Sequence, residues 1–213
     1  MPITINGSGT LTGLSAGGLP DGSVTNADLE YAGTSGQVLT SQGSGSAPQW
    51  ATVTDTGARW TTASSVSLIG QSSVSITGIP STATQIIVTL NTVQMAGNSD
   101  WGIRAGTSSG LASSNYDAMR GYVGGSLGGE QSSDRWFGYG TASSALLFNG
   151  KLLIHKMSGN VWHGDGVLHY NGGGTGRVSF GKVSLGGTLD RIGFITLGST
   201  FSTGNAYLSY MEP

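Results

Sequence analysis

Three histidines, His155, His163 and His169, fall close together in the C-terminal half of the chain, and Asp165 lies between the last two. Two imidazoles and a carboxylate are a metal-ligand set if the backbone brings them together. If residues 161–170 form one unbroken strand, His163 and His169 share a face but stand about 20 Å apart. One ion cannot bridge that distance unless Gly164 and Gly166 fold the segment. The plainer reading is hydrogen-bonded or stacked histidines, so no metal and no cofactor is assigned. Asp100, Asp117, Glu130, Asp134, Asp165 and Asp190 are the acidic residues through this region. Glycan cleavage needs two carboxyl groups about 5–10 Å apart, and no spacing here singles out a pair. No Gly-x-Ser-x-Gly stands between a strand and a helix. The run Gly172-Gly173-Gly174-Thr175-Gly176 lacks the Lys and the helix of a phosphate loop, and reads as a hairpin tip. No catalytic residue is assigned, and the chain is read as a non-enzyme.

Aromatic residues offer a different chemistry. Trp101, Trp136, Tyr139 and Trp162 lie beside glycine-rich or polar stretches. A ring beside Asp or Asn can stack on a sugar while the polar group bonds its hydroxyls. The competing use of such rings is to fill a core, where each contributes a large buried area. The segment Asp134-Arg135-Trp136-Phe137-Gly138-Tyr139 follows a stretch holding Gly121, Gly124, Gly125, Gly128 and Gly129. The reading is that 121–133 forms a long exposed loop. Asp134, Arg135, Trp136 and Tyr139, with Trp162, are then the candidate partner-binding residues.

The elements that must position these residues are strands. From residue 59 onward, short apolar or alternating runs recur with Gly, Asn and Ser between them, and no ten-residue helical pattern appears. Strands are expected at Ser73–Thr77, Gln85–Leu90, Trp101–Ala105, Ala118–Val123, Arg135–Tyr139 and Ala145–Met157. Further strands are expected at Val161–Tyr170, Arg177–Leu185, Arg191–Leu197 and Ala206–Met211. The denser Gln85–Leu90 run suits a central strand. The alternation of 178–180, 192–196 and 207–209 suits strands with one solvated face. An antiparallel β-sandwich, jelly-roll-like, is the fold that this pattern predicts for 59–213.

The first fifty residues differ. They hold ten glycines and no Lys or Arg. They bury too little apolar surface to offset chain entropy. Residues 1–58 therefore read as an extended Gly/Ser-rich arm that needs another surface to hold it. Short alternating pieces occur at 3–5 and 37–40, and Val24–Leu29 has the makings of one helical turn.

Composition narrows the classes. The 213 residues carry a formal net charge of −2, only 9% charged residues and no Cys. Ordinary soluble domains carry about 25% charged residues. There is no basic stripe for nucleic acid, no thiolate chemistry and no apolar run near the roughly 20 residues that span a bilayer. The expectation is a protein without nucleic-acid binding, membrane insertion or a secretion signal.

The wording of two stretches carries a resemblance. Residues 5–29, INGSGTLTGLSAGGLPDGSVTNADL, and the pattern Gly36-Gln37-Val38-Leu39-Thr40 followed by Gly45, Pro48 and Trp50, resemble N-terminal segments of bacteriophage fibre-like structural proteins. Residues 76–97 are similar to the start of a β-sandwich head in the same kind of protein, including cyanophage ones. The resemblance implies a homotrimeric tail fibre, spike or capsid fibre of the virion, assembled in the host cytoplasm. It implies an arm that attaches to other virion proteins, with Ile3, Ile5, Leu11, Leu14 and Leu19 as its apolar contacts. It implies a head that adsorbs to a host surface glycan. The alternative within the resemblance is a capsid decoration protein without a receptor role, and a third is a glycan-degrading tail spike. The composition agrees with a trimer: few charges limit repulsion between identical neighbours, and glycine permits close chain approach.

Overall fold

The computed structural model of the chain describes residues 4–5, 11–12, 33–44, 46, 48–53, 57–123, 129–137, 144–171 and 176–213. Ile3, Leu14, Leu19, Tyr139, the 24–29 turn and the glycine run at 172–175 lie outside the described residues. The chain divides into two compact units, Met1–Thr56 and Gly57–Pro213. Among the described residues every regular element is a β-strand.

In the first unit β1 (Thr4–Ile5) pairs with β2 (Leu11–Thr12), with Ile5 opposite Leu11. β3 (Gln37–Thr40) pairs with β4 (Gln49–Thr52), placing Leu39 opposite Trp50. The Gly36–Trp50 pattern thus folds as a small hairpin. The Trp50 ring lies against Gly33, where a Cβ would approach its Cδ2 to 2.5 Å. Val38 and Leu39 stay exposed, and a lone two-stranded hairpin is marginal in water.

The second unit is an antiparallel β-sandwich. Its strands are β5 (Arg59–Ser67), β6 (Ser73–Thr77), β7 (Gln85–Met95), β8 (Asp100–Thr107), β9 (Gly110–Leu111) and β10 (Tyr116–Val123). They continue with β11 (Gly129–Ser132), β12 (Phe148–Ser158), β13 (Val161–Tyr170), β14 (Gly176–Ser184), β15 (Arg191–Leu197) and β16 (Phe201–Glu212). One sheet has eight strands in the order β11-β10-β14-β13-β12-β7-β16-β5, and the other has four in the order β6-β15-β8-β9. Neighbours such as β7 and β16, or β6 and β15, come from distant parts of the chain, the winding of a jelly-roll-like fold.

The core lies between the sheets. Ile86, Val88 and Leu90 of β7, Leu152 and Ile154 of β12, Leu168 of β13 and Leu208 of β16 face it from the larger sheet. Ile76, Trp101, Ile103, Ala105, Ile192 and Phe194 meet them from the smaller one. Trp101 packs against Phe148 and Phe201, with ring centroids 5.3 and 6.5 Å away.

Three features depart from the sequence reading. Residues 121–123 and 129–132 are not loop: β10 and β11 form a hairpin, with Gly121 opposite Gly129. Small glycines sit in a ladder there because backbone hydrogen bonds need no side chain. β15 lacks the expected solvated face, since Ile192 to Thr196 are all buried. Leu111 caps its second face, lying where a Cβ on Gly193 would be. In β14 the alternation is present with its phase inverted. Arg177 and Ser179 point inward while Phe180 is exposed. Ser179 is drawn in because its Oγ accepts the Phe137 amide at 3.1 Å, and Arg177 stacks over Tyr170 at 5.4 Å.

Candidate functional site

The Arg135 and Trp136 side chains are buried and not presented to a partner, while Asp134 is part-exposed. Trp136 N–H and C=O pair with Ile103, both at 2.9 Å, extending the sandwich by one bridge. This closeness is possible because residue 102 is glycine: a Cβ there would meet Arg135 Cδ at 2.4 Å and Phe137 O at 2.6 Å. Trp136 is 0% exposed and Trp162 3%. The Trp136 indole donates to the Gly181 carbonyl at 3.0 Å, and its ring meets Tyr116 edge-on at 5.3 Å. Both tryptophans are therefore core residues, a correction to their reading as partner-binding rings. Each ring contributes a large buried apolar area to the core.

Arg135 is likewise 6% exposed and ion-paired, not presented to a partner. It donates to Asp100 and to Asp134. Arg104 donates to Asp134 Oδ2 at 2.7 Å and to the Asp134 carbonyl at 3.0 Å. Arg120 joins Asp100 at 3.7 Å and Glu130 at 2.6 Å. Three arginines and three carboxylates thus neutralise one another, tying β8, β10, β11 and the 133–137 segment together. Desolvation raises the Asp134 pKa, but the hydrogen bond from Arg104 and the charge of Arg135 outweigh it and hold the carboxyl below its usual range. A carboxyl held ionised is a poor proton donor at neutral pH, so this cluster is built to join strands. Burial pushes the Tyr116 hydroxyl well above its usual pKa, and that oxygen accepts the Ala105 amide at 2.7 Å.

Two surfaces stand out among the described residues. The first is a groove of about 420 Å³ at one end of the sandwich. Its polar lining comes from Ser81, Thr107, Ser108, Ser109, Thr188 and Asp190. Arg191 donates to the Ser108 carbonyl at 3.2 Å and pairs with Asp190 at 2.9 Å, fixing the walls. Such a hydroxyl-rich lining can exchange hydrogen bonds with a polar, uncharged ligand.

The second is the outer face of the eight-stranded sheet. Register places Ile87, Leu153, Asp165, Phe180 and Met119 in one row across five strands. Phe180 is 46% exposed and Met119 47%, and in the next row Val167 is 56% exposed and Tyr207 42%. An outward sheet face is ordinarily polar; this one carries several large exposed apolar side chains among Asp165, Lys151 and Thr89. The preceding row holds His155 opposite His163. Their ring centroids are 4.9 Å apart and tilted by 42°. Ligand atoms of His155, His163 and Asp165 all lie within 4.8 Å of one another. The partner of His163 is thus His155, across the hairpin, and not His169 along the strand. The signal was Gly159, midway between residues 155 and 163 in sequence, where the hairpin turns with φ +52°.

Fold and surface together define an antiparallel β-sandwich protein with exposed apolar side chains on its larger sheet. No protein-family model matches the chain, and no curated protein matches it. Among the described residues no helix is long and apolar enough to cross a membrane.

Proposed function

We propose that this protein is a structural component of a bacteriophage particle: a homotrimeric fibre or spike whose N-terminal arm joins other virion proteins and whose sandwich head adsorbs to a host surface glycan. The observation that carries the reading is the exposure of Met119, Phe180, Val167 and Tyr207 on the outer sheet face. Large apolar side chains exposed on a sheet face, here the adjacent Phe180 and Met119 with Val167 nearby, suit a surface that another surface covers. A second copy supplies an identical, near-neutral face, which a chain with 9% charged residues suits. The fibre-like wording of residues 5–50 and 76–97 supports the virion assignment. With Trp136, Trp162 and Arg135 in the interior, glycan contact on this reading falls to the hydroxyl-lined groove beside Asp190.

The burial of those three side chains favours a second reading, a capsid decoration protein with no receptor role. Imaging of particles at subunit resolution separates the two. Density for a trimer at the tail, with purified protein competing for adsorption, supports the fibre. Density on the capsid lattice, with adsorption unaffected by added protein, supports decoration. Absence from the particle sinks both.

A further inference from the structure

We propose that His155, His163 and Asp165 form a binding site for a first-row divalent transition-metal ion, with Zn²⁺ as its natural test. The inference rests on hairpin geometry and is independent of the virion reading.

The fold builds the cluster by two rules. β12 and β13 pair so that residue 155 stands directly opposite residue 163, and opposed side chains on one face are close neighbours. Asp165 follows His163 by two positions, so it shares that face, one pleat further along. The resulting donors are two imidazole nitrogens and one carboxylate oxygen, all within 4.8 Å. His163 Nδ1 and Asp165 Oδ1 are 3.9 Å apart, too long for a hydrogen bond. Four-coordinate zinc, with ligand bonds of about 2.0–2.2 Å, needs donors roughly 3.3–3.5 Å apart. Side-chain rotation of about an ångström closes the difference, and water completes the shell.

A second observation points the same way. His163 Nδ1 is shielded from solvent and has no hydrogen-bond partner. A buried polar atom without a partner is costly, and a metal bond removes that cost. The positive group opposite His163 in register is managed: Lys182 on β14 lies 3.9 Å from Asp117. Imidazole with carboxylate selects zinc, copper, nickel or cobalt over calcium and magnesium, which take all-oxygen shells. The chain has no Cys and no fourth histidine, so few other residues compete.

The test uses tag-free, chelator-stripped full-length protein titrated with Zn²⁺ by calorimetry. About one equivalent per chain is expected. His155→Gln, His163→Gln and Asp165→Asn should each weaken binding about tenfold or more, while His169→Gln leaves it unchanged. Far-UV circular dichroism in chelator verifies that the variants fold. A second measurement needs no variant: imidazole NMR signals of His155 and His163 should move on Zn²⁺ addition while those of His169 stay. Failure to bind Zn²⁺, equal loss in His169→Gln, or movement of the His169 signals alone would overturn the site.

Discussion

The Trp136 ring occupies the space where a side chain at Gly164 would stand: a Cβ there would lie 2.8 Å from the indole Cε2. This one contact joins the 133–137 segment to the middle of β13. It explains why a strand carries glycine at an inward position. Gly164→Ala should cost about 1–3 kcal/mol by overpacking, and Trp136→Ala about 3–5 kcal/mol by cavity formation. The second figure corresponds to a fall of roughly 6–20 °C in melting temperature for a domain of this size. Differential scanning calorimetry checks both. A Trp136→Ala variant melting within a degree or two of the parent would show that the ring is not buried in solution.

That contact also shows where the sequence stops being legible. Short apolar or alternating runs set between Gly, Asn and Ser separators located Ser73–Thr77, Val161–Tyr170 and Arg191–Leu197 at their observed bounds, because such runs are written locally. β5 was harder: RWTTASSVS is mostly polar, and it is a strand because it pairs along the edge of β16. Trp136 reads equally well as surface or core until Gly164 and Gly181 are known to lie beneath it. The inverted phase of β14 arises from the Phe137 amide reaching Ser179, a contact 42 positions away in sequence. The His155–His163 pairing was within reach of the sequence, since both flank Gly159 at equal distance. It needed the two strands to be paired and not merely found.

Asp134 should make stability acid-sensitive. Its carboxyl is held below its usual pKa in the folded state, against about 3.9 in an unfolded chain. A depressed folded value contributes stability above the unfolded pKa, and that contribution is lost as pH falls through the folded one. Asp134→Asn should therefore cost about 1–3 kcal/mol at pH 7, because Arg104 and Arg135 lose a charged acceptor. The gap between parent and variant should shrink below about pH 4. Urea denaturation across pH 3–7 measures it. A gap that stays constant to pH 3 would assign the effect to shape alone.

The arm is expected to be dispensable for folding of the head. The second compact unit begins at Gly57, and among the described residues the buried hydrophobic cluster draws only on those from Val66 onward. A chain starting at Gly57 should keep its β circular dichroism and a cooperative melt within a few degrees of the full-length protein. On the virion reading it should fail to join the particle. Loss of cooperative melting would mean that the arm contributes to the sandwich core.

The outer sheet face yields the sharpest test of self-association. Phe180 stands beside Asp165 on one side and Met119 on the other, with its ring directed outward. In a free monomer, replacing an exposed ring by Ser changes stability by about half a kcal/mol or less. If three copies cover this face, the same change leaves a hole at each interface, and hydrophobic hot spots at interface centres cost 2 kcal/mol or more each. Phe180→Ser with Met119→Ser should therefore shift the light-scattering mass from trimer to monomer at micromolar concentration. The monomeric variant should keep its β circular dichroism, since neither side chain reaches the core. A parent protein that is already monomeric would end the trimer proposal. A variant that stays trimeric would move the interface away from this face, because no interface centred on Phe180 survives loss of that ring in all three copies.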